Sequence, residues 1–160
     1  MERYYNRAGA LKDLQQLAKQ QGTDLEAAMR AVGLSMALLR QPDERIDFAR
    51  LCALLEHCAL AWDMPDLALR LASHQPLEAL GPLGLVTRMA PDLRGVVDAI
   101  GENMVIHSNA VIARVTEEDG VATAVIDTLS RPPGVDHLIL LALGLARNIC
   151  LLYTSDAADE

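Results

Sequence analysis

Cys52, His57 and Cys58 lie close together in the chain, and that density of soft ligands is the pattern a metal centre would need. Their stretch has helical periodicity, however. At about 100° per residue, His57 stands roughly 140° and Cys58 roughly 240° around the helix from Cys52, so the three side chains diverge. Two core thiols and a surface histidine are the expectation. His74 and His107 stand apart from any cysteine or carboxylate cluster of ligand spacing. The chain contains no nucleophile elbow, phosphate-binding loop, dinucleotide fingerprint or zinc-protease motif. No catalytic residue, metal or cofactor is therefore expected, and the chain does not read as an enzyme.

A second candidate chemistry is DNA reading. "LAKQQGTDLEAAMRAVGLS" has the short helix, glycine, short helix rhythm of a helix-turn-helix. The segment that would have to enter the groove, "SMALLR", offers base edges little beyond Ser35 and Arg40. Asp24, Glu26, Asp43 and Glu44 surround it with negative charge. It reads as a packing surface, and no DNA-binding residue is expected in this chain.

The elements that would position any site are mostly helical. Leu11, Leu14, Leu17 and Ala18 share a helix face that Gly22 ends, and Thr23 with Glu26 forms a capping box for a second helix carrying Leu25, Ala28 and Met29. Gln41-Pro42-Asp43-Glu44 is a turn. Phe48, Leu51, Cys52, Leu55, Ala59 and Trp62 form one stripe of a long amphipathic helix. Another helix follows Pro65-Asp66, and a further one follows Pro91-Asp92. After Ser108 the period changes to two. Val111–Thr116 and Val121–Ile126 flank Asp119-Gly120, the signal of an antiparallel hairpin. Pro132-Pro133-Gly134 ends the hairpin, and an apolar helix begins near Val135. The expected fold class is α+β, a helix-rich domain with a late antiparallel β-hairpin.

Composition bounds the function. At 160 residues, 51% hydrophobic and 22% charged, the chain suits one globular domain. Aromatics make up 3%, so the core must be aliphatic. A formal net charge of −8 opposes contact with phosphates and with anionic membranes. The longest apolar segment, residues 135–149, falls short of the roughly 20 residues that span a bilayer, and the N-terminus has no signal-peptide pattern. A cytoplasmic protein without a membrane partner is expected. Cys52, Cys58 and Cys150 show no disulfide-framework spacing.

The end of the chain, "CLLYTSDAADE", follows the apolar helix without linker chemistry. It matches what one reading frame of a common transposon-end sequencing adapter encodes. The expectation is therefore a domain over residues 1–149 and a non-native tail over 150–160. Asp156, Asp159 and Glu160 would then account for three of the negative charges.

The order "AVGLSMALLRQPDERI", then "DMPDLALRLASHQPLEALGPLGLVTRMAPDLRGVVDAI", then "ARVTEEDGVATAVI" resembles the N-terminal regulatory, arabinose-binding-like domain of AraC-type transcriptional regulators. Arg45-Ile46 falls where that family has an Arg-Ile pair before a long helix. Leu83-Gly84 falls at its Leu-Gly turn, and the acidic-tipped hairpin matches as well. The likeness covers about Leu11 to Ile126. It implies the sensor half of a one-component transcription factor that binds an unidentified small-molecule effector, forms a homodimer, and reaches DNA only through a C-terminal helix-turn-helix domain missing here. The family shares no fixed ligand motif. By position, the effector-binding candidates are Arg88, His107 and Asn109, polar groups bordering the late apolar segment. Arabinose itself is not expected, because a sugar pocket favours stacking aromatics and this chain has only Tyr4, Tyr5, Phe48, Trp62 and Tyr153. The alternative is a helical interaction or dimerisation domain with no small ligand, pairing through residues 135–149.

Overall fold

The structure, a computed structural model, describes residues 4–75 and 77–156, with the side chains of His74, Leu77, Glu78 and residues 153–156 outside the description. Among the described residues the order is β1 (Tyr5–Arg7), α1 (Leu14–Gln21), α2 (Leu25–Ala31), β2 (Arg45–Asp47), α3 (Phe48–Ala61), α4 (Leu67–His74), α5 (Pro82–Arg88), α6 (Leu93–His107), β3 (Val111–Glu118), β4 (Val121–Thr128) and α7 (Val135–Asp156). The helix-rich α+β class with its late hairpin is what forms.

Helix α3 carries the main core. Asp47 caps it by accepting a hydrogen bond from the Arg50 N–H at 3.1 Å, and Phe48, Leu51, Leu54 and Leu55 are fully buried. Each such side chain stabilises the fold by roughly 1.5–3 kcal/mol relative to exposure. Cys52 and Cys58 are buried on the same helix while His57 is exposed, the divergence that helical geometry requires. Among the described residues no group of His, Cys, Asp or Glu is placed to hold a metal. A second, smaller cluster of Leu80, Leu83, Val96 and Ile149 joins α5, α6 and α7.

The hairpin pairs in the register Val111↔Thr128 through Glu118↔Val121. Asp119 and Gly120 both have positive φ, 52° and 77°, as a two-residue turn matched to strand twist demands. Strand β4 runs two residues past its β-branched run at the Thr128 end, where the Leu129 N–H also bonds the Ala110 carbonyl at 2.8 Å, and β3 runs two residues past its own run at the turn.

Three expectations are corrected. The cap of α2 is Asp24 rather than Thr23: the Asp24 carboxylate accepts from the Ala27 N–H at 3.0 Å, whereas the Thr23 hydroxyl donates back to the Ala18 carbonyl at 3.3 Å. An ionised carboxylate is also the better acceptor at a helix N-terminus. Leu83-Gly84 is not a turn but lies inside α5, which Pro82 opens. The segment weighed as a groove reader and set aside forms a 3₁₀ turn, Met36–Arg40, too short for a groove. Finally, α7 continues past Ile149, and its Val135–Leu152 window has mean hydropathy 1.7, so by length and composition alone it could cross a membrane. One face of it is nevertheless in the core, with Leu138, Leu141 and Ile149 buried, and Asn148 Nδ2 donates to the Ala72 carbonyl of α4 at 2.8 Å.

Candidate functional site

Strand periodicity builds the site. On the hairpin, alternate residues share one face, and Val111, Ala113, Val115, Ala124 and Ile126 turn toward α6 and α7. A two-stranded hairpin alone is at best marginally stable in water. Here it is held by α6, packed against β3 where Gly101 lies over the Ala113 carbonyl, and by an ion pair between Arg94 and Glu117 near the turn. The facing surfaces do not close completely. Between them lies a cavity of about 120 Å³, lined by the hairpin, by Val97, Ile100 and Met104 of α6, and by Leu138, Leu141 and Leu145 of α7. Alanines leave the space: Ala10, Ala79, Ala113, Ala124, Ala142 and Ala146 all sit on its wall. Its size is on the order of the apolar cavity that admits a benzene-sized guest.

The polar side chains on this wall are Asn6, Gln75 and His107; Arg114 borders the cavity, but alternation along β3 turns its side chain to the face opposite Ala113 and Val115. Asn6 and His107 are neighbours because β1 is fastened to the end of α6. The Ser108 hydroxyl donates to the Tyr5 carbonyl at 2.8 Å, the Tyr5 N–H donates to Asn109 Oδ1 at 2.7 Å, and the Tyr5 hydroxyl donates to the Val105 carbonyl at 2.7 Å. Gln75, just past the end of α4, donates through Nε2 to the carbonyls of Ala10 at 3.1 Å and Lys12 at 2.9 Å. Beside them Arg7 is buried; it donates to the Leu80 carbonyl at 2.9 Å and is paired with Asp43. Gly81 makes room for it: a Cβ there would overlap the guanidinium, and its φ of +60° suits glycine. Burial, reinforced by the positive charge of Arg7, pushes the His107 imidazole down to about 4, with the Leu80 carbonyl acting weakly the other way. His107 is therefore neutral at pH 7. Two buried polar atoms of this group have no hydrogen-bond partner, Gln75 Oε1 and His107 Nδ1.

Of the three residues singled out by position, the structure places His107 on the cavity wall. Arg88 is exposed on α5 and Asn109 is committed to the Tyr5 backbone; neither lines the cavity. The three are thus not brought together. Sequence reasoning missed Asn6 and Gln75. The only signal for them was polarity beside apolar runs, which many surface residues share. The Cys52 and Cys58 thiols offer no reactive nucleophile, since burial pushes both up to about 12. The arrangement is suited to enclosing an apolar molecule.

Comparison with known proteins agrees with this architecture. A family model described as the arabinose-binding domain of AraC transcription regulators, N-terminal, matches residues 22–158. The HTH-type transcriptional regulator VirS of Mycobacterium tuberculosis, in strains CDC 1551 / Oshkosh and ATCC 25618 / H37Rv, is 33% identical over 100 residues, which is 62% of this chain and 29% of that protein. The chain thus aligns with less than a third of the length of these relatives. With most of its residues inside the match, the chain belongs to the family of N-terminal arabinose-binding-type regulatory domains of AraC transcription regulators.

Proposed function

We propose that this domain senses an apolar small-molecule effector and passes the result to a helix-turn-helix DNA-binding domain elsewhere in the full regulator. The observation that carries the reading is the alanine-lined cavity between the hairpin, α6 and α7. An effector that binds one arrangement of these walls better than another shifts the population toward it. Helix α7 lines the cavity and follows the hairpin in the chain, so a change in its packing is felt at the C-terminal side of the domain. The chain works by binding and not by catalysis, in the cytoplasm, where its DNA is. The acidic charge of −8 fits a part that leaves DNA contact to another domain. Homodimerisation is part of the same reading, since α5 exposes Leu85, Val86 and Met89, surface of the kind an interface covers.

The test is a thermal-shift screen of small apolar compounds on this chain, followed by operator binding of the full-length regulator with and without each hit. Hits should shift operator affinity, and the present chain alone should leave operator DNA unbound. Ala142→Leu, which fills the cavity, should remove both responses. A full-length protein that ignores DNA, or hits that survive Ala142→Leu unchanged, would overturn the reading.

A further inference from the structure

We infer that the cavity takes an unbranched alkyl chain, inserted tail first from the turn end of the hairpin, with its polar head left in water there. This rests on the cavity being the effector site and adds the shape and direction of what enters it.

The shape follows from how far the wall runs along each element. Residues on it recur at one-face helical spacing from Val97 to His107 on α6 and from Leu138 to Ile149 on α7, and at alternate positions from Val111 to Val115 on β3. At roughly 1.5 Å per helical residue and roughly 3.3 Å per strand residue, these stretches are about 15 Å, about 16 Å and about 13 Å long. An alanine reaches no further than its methyl group. Ala113 and Ala124 on the hairpin and Ala142 and Ala146 on α7 all touch the cavity, so the space itself, and not only long side chains bordering it, extends along both elements. A compact cavity of about 150 Å³ admits one benzene ring. Here a smaller volume, about 120 Å³, is drawn out along a longer axis, so its mean cross-section is below that of a ring. Among the described residues no aromatic side chain lines it, and a flat ring would gain no stacking partner. A chain one methylene wide fills such a slot.

The direction follows from the two ends. At the start of β3 the cavity is closed by Ala10, Leu138 and Leu141, buried in the main core with Ala110 and next to Val111. Asn6 and Gln75 direct their amide nitrogens to backbone carbonyls there. The unpaired Gln75 Oε1 and His107 Nδ1 are sealed beneath the surface. A head group placed at this end would lose its hydrogen bonds to water without replacement, whereas a hydrocarbon tail loses none. Toward the turn, Val115 and Ala124 are exposed. Tail at the closed end and head at the turn is therefore the arrangement that leaves every polar group of the guest hydrated.

Neutral alcohols test this, titrated into the isotope-labelled chain and followed at the methyl groups of Leu141 and Val115. 1-Heptanol and cyclohexylmethanol have the same carbon count and the same primary hydroxyl, and differ in being a chain or a ring. 1-Heptanol should bind about tenfold more tightly, because a ring overpacks the slot. Each methylene added from 1-butanol to 1-heptanol should tighten binding about fourfold. Ala124→Leu, at the open end, should weaken 1-heptanol more than 1-butanol, since only the longer chain reaches it. Cyclohexylmethanol binding as tightly as 1-heptanol would overturn the shape, and equal losses for both chains in Ala124→Leu would overturn the direction. In those cases the cavity would remain an apolar ligand site. Failure of every alcohol to bind at millimolar concentration would instead remove the effector-site reading itself, and the inference with it.

Discussion

Acidification should loosen this domain through His107, and the size of the effect can be worked out. The folded imidazole titrates at about 4 against 6.5 for the unfolded chain. The unfolded state therefore binds the proton first, and stability rises with pH across that window. Stability is complete above about pH 7, falls as pH drops through 6.5, and has lost roughly 3 kcal/mol by the time the folded ring protonates near pH 4. Between about pH 7.5 and about pH 5 the expected loss is about 2 kcal/mol. Urea denaturation followed by far-ultraviolet circular dichroism at the two pH values measures it. His107→Gln should flatten the difference, whatever it does to stability at pH 7.5, while His57→Gln on the exposed face of α3 should leave it intact. Asp127, held below its usual value chiefly by the Thr128 N–H and then by Arg131, contributes stability that is lost only below about pH 4 and so lies outside the window. Equal stability at both pH values in the wild type, or an undiminished loss in His107→Gln, would refute the burial of a neutral imidazole at this site.

Ellman's reagent should titrate one of the three cysteines quickly in the native protein, the exposed Cys150, and reach Cys52 and Cys58 only on denaturation; rapid labelling of all three would contradict the α3 packing. Gly144→Leu should destabilise the fold by about 1–3 kcal/mol or more, because even a Cβ at Gly144 would overlap the Ala72 Cβ where α4 crosses α7, and adding Ala72→Gly should recover part of the loss in a thermal melt. Deleting residues 150–160, the proposed non-native tail, should change stability by less than about 1 kcal/mol, since Leu151 and Leu152 are half exposed while the buried Ile149 is kept; a large loss would show that the end of α7 is integral to the fold.

What was legible in the sequence was what repeats locally. The α3 stripe announced itself through its period, and the hairpin through two β-branched runs around Asp119-Gly120, because each signal is contained within a few turns of chain. Strands β1 and β2 were invisible for the opposite reason. Three residues carry no period, and the pairing of Asn6 with Ile46 is specified by tertiary contacts rather than by propensity. The polar end of the cavity was hidden in the same way. Asn6 and His107 are 101 residues apart, and Gln75 reaches back 65 residues to Ala10. His107 was singled out only because it borders an apolar segment, and that criterion selected Arg88 and Asn109 with equal weight.

The same alanines explain why the cavity sits where a signal could start. A hairpin covered on one face is the least buried element of such a domain, and local stability follows buried apolar contact. Ala113 and Ala124, opposite each other's neighbours across the strands, and Ala142 and Ala146 one turn apart on α7, place the missing contacts between the hairpin and the helix that follows it. A guest filling that space adds apolar contact to the hairpin and α7 together and to little else. Its binding free energy is then spent on fixing those two elements relative to each other, which is the differential interaction that a population shift requires. A cavity of equal volume inside the α3 core would bind a guest without moving anything, since Leu51, Leu54 and Leu55 are already fully enclosed.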